Sequence, residues 1–370
     1  MSRIRAAVLR QLGRPVAIEQ LSLAQPGPGE VLVRMRAAGV CHSDLYVRDA
    51  AWARPTPVVM GHEGAGVVEQ VGEGGDRALV GRQVVLSWQV PCRTCRACSD
   101  AAPWACQDSP SFSHRRLDGS AAYTDAAGQP INSYSALATM SEATIVAQAA
   151  AVPIPDDVDP AVAALIGCCV STGVGAVRKT ARVEAGSSVV IVGLGGVGLS
   201  CVMGAVLAEA GRIVVVDTAP AKLELARALG ATDTVVATAD ADRTAGAIRR
   251  ILATDGADYT FEAAGRTETA TLAIDLLAPG GLAVMVGMPP MGAAASFDVY
   301  RLVDGNRRIA GSNYGHTDPA SDFPAYAELH RAGRLPVERL IDRRLDLAEL
   351  EDAFDRLRRG TALRQVVVLG

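Results

Sequence analysis

The chain has 370 residues and a mass of 38.4 kDa, room for about two domains of ~150 residues each. With 49% hydrophobic and 21% charged residues it can bury a sizeable core, which excludes a disordered or fibrous chain. Its 36 Lys and Arg against 40 Asp and Glu leave a net charge of −4, so it offers no basic field to nucleic acid or an anionic membrane.

The first residues, Met1-Ser2-Arg3-Ile4-Arg5, lead into an apolar stretch that Arg10 interrupts. That stretch is too short for a secretory core, and the reading is a soluble, cytoplasmic protein. The first 150 residues read as β-rich, with short apolar runs at 30–35 and 64–69 and turns such as Pro26-Gly27-Pro28-Gly29. Of the eight cysteines, Cys92, Cys95, Cys98 and Cys106 lie within fifteen residues. In a long chain without a secretory signal such a cluster favours metal over disulfides. The spacing C-x2-C-x2-C-x7-C can close a tetrahedral zinc site with no open position, a structural site. A redox dithiol is the competing reading, and four neighbouring cysteines make it the weaker one.

From about residue 161 strand and helix patterns alternate. Strands are expected at 189–192, 213–216, 259–262 and 282–286, and helices at 197–210, 220–229 and 267–277. That alternation implies βαβ units around a parallel sheet. Residues 185–208 carry no charge but hold six glycines, and read as a buried strand, a tight turn and a buried helix rather than a membrane span. Within them Gly193-Leu194-Gly195-Gly196-Val197-Gly198 fits G-x-G-x-x-G, and Asp217 ends the next strand 19 residues past Gly198. Such glycines let the backbone turn tightly and approach a pyrophosphate at the helix N-terminus. Asp217 can accept both ribose hydroxyls and would repel a 2′-phosphate, which favours NAD over NADP. Lys222, one of only two lysines, stands five residues on. The bland alternative makes the glycines packing devices and Asp217 a solvated cap. After residue 315 helices are expected at 323–332 and 347–359, then a strand at 364–369. Leu347, Leu350, Phe354 and Leu357 share one face of the second helix.

A second donor set is dispersed: Cys41-His42-Ser43-Asp44, Gly61-His62-Glu63-Gly64 and Gly167-Cys168-Cys169. Cys, His and Cys with an open fourth position suit a catalytic zinc, but spacing alone is only suggestive, because a lone His or Cys is more often a core residue. Taken with the stretch 165–173, the four-cysteine lobe and the glycine fingerprint, these segments resemble the zinc-dependent medium-chain alcohol dehydrogenases from about residue 4 to 369. The loop 118–131 is similar to that of class I and class III members, and the tail looks closest to actinobacterial ones.

The resemblance implies an α/β protein. A GroES-like β-rich catalytic domain (1–170) carries a structural zinc lobe (88–107). A Rossmann doubly wound parallel-sheet coenzyme domain (171–313) and a C-terminal return to the catalytic domain (314–370) follow. It implies NAD, two zinc ions per subunit and a homodimer, with no nucleic-acid or membrane partner. Carried over by position, Cys41, His62 and Cys168 are the catalytic zinc ligands, Glu63 lies behind the metal and Asp44 orients His62. Ser43 meets the substrate hydroxyl, Thr172 packs near the nicotinamide, and His42 and Arg364 meet the pyrophosphate. Trp88 and Tyr134 line the substrate pocket, and Tyr46 stands where many members carry a proton-relaying histidine. The bland readings are a solvated His42, an Asp44 that only caps a helix, and an exposed strand arginine at 364. The implied activity is NAD-dependent interconversion of primary, medium-chain or aromatic, alcohols and aldehydes. A thiol-dependent formaldehyde dehydrogenase or S-nitrosothiol reductase is the same-family alternative. Class III members hold S-hydroxymethylglutathione with an acid and an arginine, and the matching positions here are Trp52 and Pro110. A zinc-cluster module binding nucleic acid is the alternative of another class. The acidic balance speaks against it, as does a lobe whose basic residues are Arg93 and Arg96 alone.

Overall fold

The computed structural model describes residues 2–370 and divides into two compact units, 2–168 with 318–370, and 169–317. The first unit is built on β structure. Strands Ser2–Leu9, Ala17–Leu23, Tyr123–Thr124, Pro130–Ser133 and Val58–Val59 close a small barrel. A seven-stranded sheet runs Ala151–Pro153, Gln83–Leu86, Glu63–Val71, Glu30–Val40, Arg364–Val368 and Ile341–Leu345, with Ala143–Ala147 also paired to Glu30–Val40.

The strand Glu30–Val40 is long and almost wholly buried, so its run of apolar side chains has partners on both faces. Its register decides where the chemistry falls. Gly39 lies opposite Glu63 on one neighbour and Val366 on the other, while Gln365 lies opposite Val40. A side chain at position 39 would sit 2.1 Å from the Glu63 carboxylate, so glycine there is what gives that carboxylate room. Helix Leu350–Arg358 packs Leu350, Ala353, Phe354 and Leu357 onto this core, as its apolar face requires. It is entered through a 3₁₀ turn, Leu347–Glu349, in which Asp346 and Glu349 cap each other's backbone N–H groups.

The second unit is a six-stranded all-parallel sheet in the order Asp233–Val236, Arg212–Asp217, Ser188–Val192, Ala257–Glu262, Leu277–Met285, Arg308–Gly311. The β-branched run Ser188–Val192 is central, and helices Gly196–Leu207, Pro220–Ala228, Ala241–Leu252 and Thr267–Asp275 make crossovers. The expected doubly wound parallel sheet is therefore present.

Several features were not anticipated, strands Arg308–Gly311 and Ile341–Leu345 among them. Strand Asp233–Val236 and helix Ala241–Leu252 are hidden in the sequence by a polar stretch. Asp240 nevertheless caps the helix through the Arg243 N–H, and Thr244, Ile248 and Leu252 recur every four residues on its buried side. Strand Leu277–Met285 begins five residues early, because the Ala278-Pro279-Gly280-Gly281 stretch lies within it. The stretch long and apolar enough to cross a membrane, by length and composition, is the helical run Pro160–Ala181, not 185–208. Its mean hydropathy is 1.8, and 83% of its apolar window is buried in the protein, the behaviour of a core helix.

Candidate active site and metal centres

The cysteine lobe brings its four Sγ atoms within 4.8 Å of one another. Cys95 precedes a one-turn helix, Arg96–Ser99, which carries Cys98 back toward Cys92. The Cys92–Cys98 and Cys95–Cys106 pairs are each 3.9 Å apart. A tetrahedral site with Zn–S bonds near 2.3 Å requires sulfur separations of about 3.8 Å. All four cysteines are free thiols. Backbone N–H and side-chain hydrogen bonds from Thr94, and the N–H of Cys95, pull the Cys92 thiol down to about 6, while desolvation and the neighbouring thiols push Cys98 up to about 12. A divalent cation held by the four sulfurs would bind each as a thiolate. From the lobe, Arg93 reaches out to hold Asp318 at 2.7 Å.

The second cluster gathers the dispersed segments. Cys41 follows strand Glu30–Val40 and opens helix His42–Arg48; His62 precedes strand Glu63–Val71; Cys168 lies in the wide helical turn Ile166–Val170. One donor atom from each of Cys41, His62, Glu63 and Cys168 lies within 4.8 Å of the others. Cys168 Sγ is 3.7 Å from His62 Nε2, against about 3.6 Å for a sulfur and an imidazole nitrogen on one tetrahedral zinc. Asp44 is buried, and both of its oxygens are used. Oδ1 lies 3.0 Å from His62 Nδ1, and Oδ2 accepts the Cys41 N–H at 3.1 Å. Asp44 thus bonds both the start of the helix and the His62 ring.

Burial would lower the His62 titration, but the charge and hydrogen bond of Asp44, with Cys41 behind them, carry it well above the ordinary range. The hydrogen bond between Cys41 and Cys168 moves the two thiols apart, Cys41 well down and Cys168 well up. Glu63 is fully buried. One oxygen pairs with Arg364, whereas Oε1 has no hydrogen-bond partner, and burial outweighs the arginine to raise the carboxyl to about 7. A buried carboxylate oxygen without a donor, beside a thiolate and an imidazole, is a fit for a cation. Arg364 is likewise buried and paired, not an exposed strand arginine.

In the second unit the three fingerprint glycines have separate reasons. Gly193 has φ +93° and lies against Ala264, and a Cβ on Gly198 would fall 1.8 Å from the Gly193 carbonyl. A Cβ on Gly195 would meet open space, leaving backbone exposed to a ligand at the start of helix Gly196–Leu207, where Val197 is the second residue. Asp217 is half-buried and ties two turns together, accepting the Leu194 N–H at 2.7 Å and the Ala219 N–H at 2.9 Å. Lys222 stands in the first turn of helix Pro220–Ala228, and Thr172 is buried. Glu262 was missed. It is buried and accepts from the N–H groups of Ala264 and Gly265 and from the Thr269 hydroxyl, fixing the turn that faces Gly193.

Around the first unit's cluster, His42 is exposed and edge-on to Tyr46, Ser43 is half-buried, and Tyr46 packs on buried Trp52 at 5.1 Å. Trp88 is half-buried on the core. Tyr134 stands between two imidazoles, edge-on to His62 at 5.5 Å and stacked on His114 at 5.9 Å. Its phenol is pushed up to about 12 by burial. Left-handed, non-glycine backbone concentrates here, at His114, Ser135, Ala136 and Ala138. His114 was not singled out from the sequence; only the fold brings it to Tyr134.

Residues 27–156 match the family description "Alcohol dehydrogenase GroES-like domain" and residues 196–331 match "Zinc-binding dehydrogenase". The chain is 34% identical to S-(hydroxymethyl)glutathione dehydrogenase of Synechocystis, over 98% of this chain and 99% of that protein. It is 35% identical to the protein of the same name from Escherichia coli, at the same coverage. Among solved structures, a zinc-binding-domain alcohol dehydrogenase of Burkholderia ambifaria superposes with a TM-score of 0.93 at 35% identity, covering 100% of this chain and 99% of its own. Benzyl alcohol dehydrogenase of Acinetobacter calcoaceticus superposes with a TM-score of 0.91 at 31% identity, covering both chains in full. The chain belongs to the zinc-dependent medium-chain alcohol dehydrogenase family and is an oxidoreductase.

Proposed function

We propose that the protein is an NAD-dependent zinc alcohol dehydrogenase that interconverts primary, medium-chain or aromatic, alcohols and aldehydes. The observation that carries this reading is the buried set Cys41, His62, Cys168 with Glu63, ordered by Asp44 from the metal's far side. Zinc held there would lower the pKa of a coordinated hydroxyl, and NAD bound at the fingerprint would take the hydride. The chain's own share is positioning and proton handling. Ser43 hydrogen-bonds the substrate's hydroxyl, and Asp44 fixes the His62 ring so that Nε2 faces Cys168. Glu63 and Arg364 set the charge behind the site. Tyr46 extends the path toward exposed His42. A phenol titrates near ~10, so Tyr46 passes a proton through its hydroxyl rather than acting as a base. The carboxylate of Asp217 favours NAD over NADP by repelling a 2′-phosphate.

The aromatic surroundings, Tyr46, Trp52, Trp88 and Tyr134, and the benzyl alcohol dehydrogenase neighbour support aromatic substrates. The second reading, a thiol-dependent formaldehyde dehydrogenase, is favoured by the names of the Synechocystis and Escherichia coli relatives. Trp52 and Pro110 at the glutathione-holding positions speak against glutathione itself. A homodimer is supported by exposed Phe297, Val299, Tyr300 and Val303 beside the outermost strand Arg308–Gly311, an apolar patch at an open sheet edge. The intended compartment is the cytoplasm. NADH formation with benzyl alcohol, 1-octanol, and formaldehyde with glutathione tests the substrate. Turnover restricted to the formaldehyde–thiol mixture would replace the first reading by the second, and equal use of NADP would remove the role given to Asp217.

A further inference from the structure

Arg54 lies two residues past Trp52, in the segment joining helix His42–Arg48 to strand Val58–Val59. It is half-buried, and its guanidinium sits over the Trp52 ring, 5.8 Å from the centroid. Nη1 donates to the neighbouring Ala53 carbonyl at 2.7 Å, and among the described residues no carboxylate pairs with Arg54. Other half-buried arginines of the same unit, Arg48 and Arg116, are by contrast each clamped by a glutamate. A partly desolvated cation without a counter-ion is a costly arrangement unless something negative visits it.

What surrounds this cation is the wall of the reaction centre. The charge of Arg54 is felt at Tyr134, which stands edge-on to His62, and at His114, which stacks on Tyr134. His114 accepts the Ser135 N–H at Nδ1, so its neutral ring carries the hydrogen on Nε2 and can donate. The Tyr134 ring thus stands between His62 and the His114 N–H donor, and the guanidinium over Trp52 lies close enough for its charge to act on both Tyr134 and His114. An alcohol with a flat or apolar middle and an anionic far end matches that sequence of surfaces.

We propose that Arg54, assisted by His114, forms an oxyanion-recognising subsite that selects alcohols and aldehydes bearing a carboxylate remote from the reacting carbon. The inference rests on the preceding reading of Cys41, His62 and Cys168 as the reaction centre. Arg54 is a specificity-determining residue here, acting on binding of the far end and not on the hydride step.

The test compares 4-(hydroxymethyl)benzoate with its methyl ester and with benzyl alcohol, on the zinc-loaded enzyme with NAD. The expected result is a KM for the acid about ten- to hundredfold below that for the ester, the range of a charged hydrogen-bonded contact. Arg54→Gln should erase that preference with little change in kcat and leave benzyl alcohol within about twofold of wild type. Arg54→Lys should restore part of the preference, and raised salt should weaken it in wild type. Calorimetric titration of the same pair without NAD gives a readout independent of turnover. An acid-to-ester ratio unchanged by Arg54→Gln would overturn the proposal. So would an equal loss on benzyl alcohol, which would make Arg54 a prop for Trp52. If no alcohol is oxidised but the acid binds in an Arg54-dependent way, the reaction reading fails and the subsite stands. A preference lost for formaldehyde–glutathione as well as for the acid shows that the same subsite also accepts a carboxylate from a thiol carrier.

Discussion

The two metal-capable clusters of the first unit use the same thiol chemistry and are built in opposite ways. The four-cysteine lobe is local: every donor comes from one loop, and three of the four side chains are partly exposed. The Cys41–His62–Cys168 set is assembled from a helix start, a strand start and a wide helical turn, and it is buried and braced by Asp44, Glu63 and Arg364. In the lobe the metal would organise the chain; at the second set the chain is already organised before a metal arrives. Ligand loss should therefore cost fold in one place and chemistry in the other.

The largest effect expected is that of His62→Ala. Alcohol oxidation should fall by about 10³-fold or more, since Lewis-acid stabilisation is worth several kcal/mol. Zinc content should drop from two ions to one per chain with circular dichroism unchanged; a collapse of the fold instead would erase the contrast. Cys98→Ser should do the reverse. It should remove the other zinc and lower the melting midpoint by at least about 5 °C, at roughly 2–4 °C per kcal/mol for a unit of this size. Molecules that remain folded should keep most of their kcat, and a calorimetric scan with parallel assays checks both. Asp44→Asn probes the bracing alone. Zinc affinity or activity should fall by about 10–100-fold, the usual cost of disturbing a ligand's support, with all metal ligands intact. Competition with a chelator would show it.

The smallest effect concerns pH. Burial, and then the charge of Arg54, hold His114 below its ordinary titration near ~6.5. The folded protein thus favours the neutral ring, so this contribution to stability is complete above about 6.5 and is lost as the pH falls below it. His114→Phe keeps the stack on Tyr134 and should flatten the fall of the urea midpoint on the acid side of that value. An unchanged slope would mean that other groups carry the acid limb.

The same contrast sorts what could be read from the chain. The lobe is legible from spacing because its ligands share one loop, and the parallel sheet is legible because strands such as Ser188–Val192 and the glycines after them leave local marks. The dispersed set is legible only through resemblance, since nothing near Cys168 in sequence announces His62, 106 residues away. Arg54, His114 and Glu262 left no mark, because each acquires its meaning from a ring or turn supplied by a distant segment. Helix Ala241–Leu252 was lost to its polar surface, and Pro160–Ala181 to attention drawn by the charge-free run that follows it.

The ion pair between Glu63 and Arg364 spans 301 residues of sequence. At translation rates of roughly 5–20 residues per second, the carboxylate waits about 15 to 60 s for its counter-ion to be made. Strand Arg364–Val368, which carries that counter-ion, is also the strand inserted between Glu30–Val40 and Ile341–Leu345. A chain cut short before residue 364 would lack both the strand that joins Ile341–Leu345 to Glu30–Val40 and the cation beside Glu63. Bracing of the ligand set by that ion pair therefore waits on a segment made long after Cys41, His62 and Cys168 themselves.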